Sequence, residues 1–388
     1  MGWSAYRPTG LTHYNRSLSS LGYTLVTPIG GEFAYLLNIN GAVVHQWRFS
    51  DLRVSYGRLL DNGNLLMLAQ FKSTEAISQD RSEETELTFE QRVRSLGGFA
   101  NVLREVTWDG ETVWEYKNDF MHHDFCRLPN GNTVVPRWVE LDSEFSKTVR
   151  GGQRVRRRNA PPMLGDVIIE VQPDGTEARR WKVFELLDPR KDPICPLDSR
   201  VEHTHVNSVD VDDKGRIVFS ARTNHRVGVI GDNGKLVHKF GAPHIYHQHH
   251  ASWLENGNVQ VFDNGMHRVG MTRSSVVEYD LEKDEVAWRY TAPQEQQFFS
   301  GHISGAHRLP NNNVLICEGA AGRIFEVTRT GEVVWEWNSP FYVERLSGGA
   351  GVYIFRAHRY QVSHPAVAGR QLVPDRYRET NQMHGLDR

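Results

Sequence analysis

The 388-residue chain predicts an all-β fold, a single six-bladed β-propeller whose first blade is closed by a C-terminal strand. Three observations lead there. First, a small or acidic turn followed by a short strand ending in an aromatic recurs six times. The copies are residues 41–47 (GAVVHQW), 110–116 (GETVWEY), 175–181 (GTEARRW), 234–240 (GKLVHKF), 284–290 (DEVAWRY) and 331–337 (GEVVWEW). Second, the closing aromatics stand 69, 65, 59, 50 and 47 residues apart, the scale of a four-stranded sheet with its loops. Strand-rich repeats of that size favour a propeller. Third, each unit holds a hairpin turn upstream of its aromatic: Leu60-Asp-Asn-Gly-Asn64, Leu128-Pro-Asn-Gly-Asn132, Leu254-Glu-Asn-Gly-Asn258, Leu309-Pro-Asn-Asn-Asn313 and the looser Asp212-Asp-Lys-Gly-Arg216.

These signals order the elements. Asn-Gly tolerates positive φ at both turn positions, so it closes hairpins between alternating apolar runs. The runs after the turns are second strands: 132–136, 216–220, 258–262 and 313–317. Third strands follow at 102–107, 166–171, 226–230, 275–280 and 323–328, and the aromatic-ended segment is the outer strand. The first unit begins with residues 22–26 (GYTLV), a second strand with no inner strand before it. Residues 356–360 (RAHRY) resemble 305–309 (GAHRL), the start of another unit, so 352–360 supplies the missing strand and removes the free edges. One domain, 1–388, is expected, with blades over about 20–360 and a tail over 361–388. Its polar last stretch, 371–388, is expected to dock loosely.

Composition is that of an ordinary soluble domain: 39% hydrophobic, 24% charged, formal net charge −2. No basic bias suggests nucleic acid as a partner. No apolar run reaches the roughly 18 residues of a membrane span. The N-terminus lacks an apolar signal core, so a cytoplasmic (or processed) protein is expected. Cys126, Cys195 and Cys317 stand in unrelated contexts without metal-ligand spacing and read as buried thiols.

Propeller geometry locates the site. Five residues before each turn leucine, or its equivalent, stand Ser55, His123, His249, Ser304 and Phe355, and His205 holds the matching place in the looser repeat. Three histidines thus begin three consecutive inner strands, and His302 extends the arc. Asn207, two residues after His205, faces the same way along a strand. Arg222 closes the second strand of that hairpin. One cation, one amide and several imidazoles on a narrow rim suit an oxyanion such as sulfate or phosphate.

Taken in order, His205-Val-Asn-Ser208 with Ser220-Ala-Arg222, Gln248-His249 leading to Phe262-Asp-Asn-Gly265, and Gly322-Arg-Ile-Phe-Glu-Val327 resemble the bacterial arylsulfotransferase family, over roughly residues 20–360. The resemblance implies a six-bladed propeller that moves a sulfuryl group from an aryl sulfate to a phenolic acceptor, with no cofactor. It makes His249 the nucleophile. His205, Asn207 and Arg222 would hold the sulfuryl oxygens, and His123 would assist the phenolic oxygen. His250, His302, Tyr246 and Trp138 become substrate-binding candidates.

Two other readings stay open. His123, His205, His249 and His302 could ligate one divalent metal ion, as in a propeller lyase or oxidoreductase. A propeller that only binds a ligand is the third. Long connections at 70–100, 137–164, 183–202 and 338–350 are expected on the histidine rim, as lids or binding loops. The second is basic (Arg150, Arg154, Arg156, Arg157, Arg158) and could steer an anion inward. Trp138, Phe341 and Tyr342 could stack a phenol or pack a lid.

Overall fold

The structure, a computed structural model, describes residues 8–74, 88–153, 161–344 and 349–387. The chain is mostly β and forms two compact units. The described residues of Met1–Thr74, Leu103–Glu115 and Thr291–Arg388 make one; those of Glu75–Val102 and Tyr116–Tyr290 make the other. Strands Phe99–Val106 and Thr112–His122 run from one into the other.

The sheets are small antiparallel meanders of the propeller kind. In the first unit, strand Ile354–Tyr360 pairs with Tyr23–Pro28, which continues through Phe33–Leu37 to Val43–Arg48. The C-terminal strand therefore completes the first sheet. A second meander runs from Gly305–Arg308 through Val314–Glu318 and Arg323–Val327 to Val333–Asn338. Strand Gly10–Tyr14 adds a fifth member on Val333–Asn338, an edge strand that no sequence repeat announced. Innermost strands lie side by side, as propeller blades require. Tyr56 Oη meets His358 Nε2 at 2.8 Å, and the Arg359 N–H donates to His307 Nδ1 at 3.3 Å.

The second unit has the same plan. Val206–Val211, Ile217–Ala221, Arg226–Ile230 and Leu236–Gly241 form one sheet; His249–Trp253, Val259–Asp263, Ser275–Asp280 and Glu285–Tyr290 form the next. Cys126–Arg127, Thr133–Glu140, Leu164–Val171 and Glu177–Lys182 pair in the same manner, as part of a larger, nine-stranded sheet. The inner strands are tied by buried side chains to neighbouring backbone: Ala251 N–H donates to Ser208 Oγ at 2.9 Å and Val209 N–H to Asp124 Oδ2 at 2.9 Å.

The turn motif has a physical explanation in each of its parts. The first Asn accepts the backbone N–H of the third residue, as Asn130 does from Asn132 at 3.0 Å. The glycine sits at positive φ, 87° at Gly131, where a side chain would be strained, and Asn312 takes that place at 67° in the glycine-free copy. The last Asn donates to a glutamate on the third strand: Asn64 to Glu105 at 2.7 Å, Asn132 to Glu170 at 2.6 Å, Asn258 to Glu278 at 2.9 Å, Asn313 to Glu326 at 2.6 Å. A charge-assisted bond thus locks each hairpin to its sheet. Five of the six aromatic ends are buried and Tyr116 is half-buried; Trp47 and Trp337 donate their indole N–H to the carbonyls of Thr107 and Gly41.

The expected loose tail is corrected. Helix Arg378–Met383 docks on the outer edge of the first sheet, where Asn381 is buried. Its Oδ1 accepts the Val43 N–H at 2.8 Å and its Nδ2 donates to the Val43 carbonyl at 3.0 Å. Tyr377 Oη meets His45 Nδ1 at 2.8 Å, and Leu386 packs into the core. The reason is the edge itself: an unpaired strand leaves backbone donors and acceptors that need partners.

The 70–100 connection contains helix Phe89–Arg94, held by a Thr88/Gln91 capping box. The buried Arg92 guanidinium bonds the Pro162 carbonyl and the Glu140 carboxylate, so this connection and the one at 141–163 brace each other. Of the basic residues expected there, Arg150 donates its N–H to the Pro189 carbonyl at 2.9 Å; Arg154, Arg156, Arg157 and Arg158 lie outside the described residues.

Candidate active site

Five of the sequence-derived residues (His123, His205, Asn207, Arg222 and His249) fall in the second unit, on two adjoining sheets and the strand before them. His123 and His205 meet edge to face, with ring centroids 4.6 Å apart. Both have left-handed backbone, φ 59° and 48°. The same is true of His225, His247, His250 and His267. Such values are uncommon for non-glycine residues and gather where a structure holds side chains against their local preference.

Behind His123 lies a chain of buried groups. Its Nδ1 is 2.9 Å from His122 Nδ1, and His122 Nε2 is 3.0 Å from Asp166 Oδ1. Asp166 is fully buried, accepts from Thr204 Oγ1, and accepts the Val206 N–H at 3.1 Å. Burial works to raise its pKa, but the bonds from His122 and Thr204 outweigh it and hold the carboxyl below its ordinary value. A carboxylate here stands 3.0 Å from His122 Nε2, a charge contact that favours the hydrogen on that nitrogen. His122 Nδ1 then accepts from His123 Nδ1–H, and the lone pair of neutral His123 sits on Nε2. Gly98 makes this packing possible: at φ 84°, a Cβ there would lie 2.2–2.4 Å from the His123 ring, and its carbonyl accepts the His123 N–H at 2.9 Å.

His205 is held by Glu202, Nδ1 to Oε1 2.7 Å. Asn207 Nδ2 donates to the Gln248 carbonyl at 2.8 Å, fastening this sheet to the strand that His249 begins. His249 is buried, and its Nδ1 lies 2.7 Å from Asn264 Oδ1. An amide oxygen only accepts, so Nδ1 bears the hydrogen and Nε2 the lone pair.

The remaining candidates are placed differently. Arg222 donates its backbone N–H to the His205 carbonyl at 3.1 Å, while its charge acts on Asp198, Cys195 and His267. His250 is buried beside His249. Tyr246 is half-buried under the Arg268 guanidinium, 4.8 Å from its ring. Trp138 is fully buried and stacked on His122 at 4.1 Å, in a core with Val93, Phe99 and Leu164. Of its two expected roles the packing one fits, because no ring face is open to a phenol. Phe341 is likewise buried, stacked on Tyr35 at 4.0 Å, whereas Tyr342 is exposed. His302 belongs to the first unit, exposed, with its ring 5.8 Å from Tyr353.

A second cluster adjoins. His247 Nε2 is 2.7 Å from Asp198 Oδ2, His267 Nδ1 is 3.7 Å from Asp198 Oδ1, and Cys195 Sγ is 3.4 Å from His267 Nδ1. Burial drives the neighbouring His225 down to about 3, helped by the charge of His247. Among the described residues this is the group of donors close enough for one metal ion, and it is not the set His123, His205, His249 and His302 weighed from the sequence. The reason is that connection 183–202 brings Cys195 and Asp198 to histidines some fifty to seventy residues away. No spacing within the sequence signals that.

Sequence reasoning also missed Asp166, Glu202 and Asn264. One signal was available: an Asp near the start of the mostly apolar strand Leu164–Val171, since a fully buried carboxylate needs partners.

The profile of the arylsulfotransferase (ASST) family matches residues 105–340, and the chain belongs to that family. No curated protein matches the chain. Among solved structures, a protein of unknown function from Bacteroides caccae is 14% identical, covering 88% of this chain and 99% of that one with a TM-score of 0.52. It shares the fold. A virginiamycin B lyase from Staphylococcus aureus is 12% identical, with 87% of each chain covered and a TM-score of 0.45, too distant to support an argument.

Proposed function

We propose that this protein transfers a sulfuryl group from an aryl sulfate to a phenolic acceptor, through a transient sulfohistidine at His249. The observation that supports it most directly is the Asn264 bond, which fixes the His249 tautomer with the hydrogen on Nδ1 and the lone pair on Nε2, the nitrogen that would attack. Family membership supplies the substrate class.

In the first step Nε2 bonds to sulfur and the S–O bond to the aryl group breaks. Protonated His123 gives its Nε2 proton to the departing phenolate, a transfer worth roughly 10²–10⁴-fold. In the second, the acceptor phenol returns a proton to His123, its oxygen bonds to sulfur, and the S–N bond breaks. Asp166 and His122 keep the His123 proton on the correct nitrogen in both steps. His205, Asn207 and Arg222 are assigned to the sulfuryl oxygens, as in the family pattern. Two half-reactions with a covalent intermediate imply ping-pong kinetics. We also read the six groups of strands as the blades of one propeller, with 361–388 docked on it.

His249→Ala tests the reading. With p-nitrophenyl sulfate as donor and a phenol as acceptor, the variant should lose turnover to background and keep its circular dichroism spectrum. Wild-type protein quenched with donor alone should gain the mass of one sulfuryl group, lost in the variant. Sustained turnover by His249→Ala would overturn the assignment.

A further inference from the structure

We propose that Cys195, Asp198, His247 and His267 form a separate site for a divalent transition-metal ion, zinc foremost. None of the four is assigned to sulfuryl transfer. Cys195 and Asp198 lie on strand Ile194–Ser199, His247 just before strand His249–Trp253, and His267 just after strand Val259–Asp263. All are in the second unit.

The geometry is that of a coordination shell. One donor atom from each residue falls within 4.8 Å of all the others. A tetrahedral zinc, with Zn–S about 2.3 Å and Zn–N about 2.0–2.1 Å, has ligand–ligand edges of about 3.3–3.6 Å. The Cys195 Sγ–His267 Nδ1 and His267 Nδ1–Asp198 Oδ1 separations, 3.4 and 3.7 Å, are close to that scale, whereas His247 Nε2–Asp198 Oδ2, at 2.7 Å, is shorter and must open to admit the ion.

Proton bookkeeping points the same way. His247 is fully buried, with Nδ1 2.9 Å from the Met266 carbonyl. A carbonyl only accepts, so Nδ1 carries the hydrogen and the lone pair of the neutral ring is on Nε2. That lone pair faces a carboxylate oxygen at 2.7 Å. Two acceptors at this distance require a positive centre between them, either a second proton on the ring or a metal ion. The Met266 bond is also the kind of outer contact that fixes a metal-ligating imidazole. Both histidines adopt left-handed backbone, φ 50° and 58°, to face this point.

One thiolate, two imidazoles and one carboxylate suit zinc, and the sulfur and nitrogen donors disfavour magnesium or calcium. Ligation displaces the Cys195 Sγ–H proton, giving a metal thiolate, and the second ring proton on His247 Nε2, so two protons are released. The two anionic donors then cancel the ion's charge, so the site is neutral beside Arg222.

The test uses the full chain, stripped with chelator and kept reduced, titrated with Co²⁺ alone. The expected result is saturation at one equivalent, with tetrahedral d–d bands, a near-ultraviolet thiolate-to-cobalt band, and displacement of both by Zn²⁺. Cys195→Ser should lose the thiolate band, and the half-exposed His267→Gln should weaken binding about tenfold or more. His249→Ala should bind as wild type does. No saturating spectrum overturns the proposal. So does a spectrum unchanged in both ligand variants, or one abolished by His249→Ala, which would move the ion to the other histidines. If Cys195→Ser does not fold, His267→Gln still decides.

Discussion

Replacing Asn264 with leucine, of similar volume, removes the acceptor that holds the His249 Nδ1 hydrogen at 2.7 Å. Both residues are buried, so water is a poor substitute. The ring can then leave an unsatisfied N–H, which costs about 1–3 kcal/mol, or move its proton to Nε2. The second course erases the nucleophilic lone pair. A bias of about 1–3 kcal/mol against the reactive tautomer lowers its population, and hence kcat, by roughly 5–150-fold. Stability should fall by no more than the same amount, because shifting the proton relieves the orphan donor. Asn264→Asp restores an acceptor at the same position and should recover most of the rate. The assay is the presteady-state burst of p-nitrophenol from p-nitrophenyl sulfate, alongside kcat and KM, with the loss appearing in kcat. An Asn264→Leu protein with wild-type kcat, or equal rates for the Leu and Asp variants, would refute the tautomer argument.

Two stability predictions follow from other parts of the fold. Asn381→Ala strips partners from both the N–H and the carbonyl of the buried Val43, so urea unfolding should show a loss of about 2–4 kcal/mol; an unchanged midpoint would mean that the C-terminal helix contributes nothing to the first sheet. His203 and His45 are held neutral, chiefly by burial, with pKa values near 4. The unfolded chain takes up protons below about pH 6.5 while these two remain neutral in the folded state until about pH 4. Their contribution is therefore complete above pH 6.5 and declines as pH falls to 4, by up to about 1.4 kcal/mol per pH unit for each. Denaturant midpoints at pH 7.5, 6 and 5 should fall in step, and a flat profile would contradict it.

Local sequence by itself determined the blade plan. Asn-Gly-Asn states the turn and its positive φ, alternating apolar residues state the strand, and the closing Trp, Tyr or Phe states the outer end. The likeness of 356–360 to 305–309 also told which strand completes the first sheet. Strand period and repeat register then placed His123, His205, Asn207 and His249 at the starts of neighbouring inner strands, because position along a strand fixes the way a side chain faces. What stands behind each imidazole was decided by the tertiary structure. Asp166 reaches His122 across a sheet, and Asn264 reaches His249 from the partner strand of its hairpin. Cys195 and Asp198 arrive on a long connection without a repeat of its own. The Arg222 charge acts toward that connection, and Asn381 finds Val43 from the far end of the chain. Repeats encode what recurs in every blade, through short-range dihedral and hairpin preferences. The partners that set a histidine's tautomer or gather metal donors are single, long-range contacts. They exist only once packing has brought distant segments together.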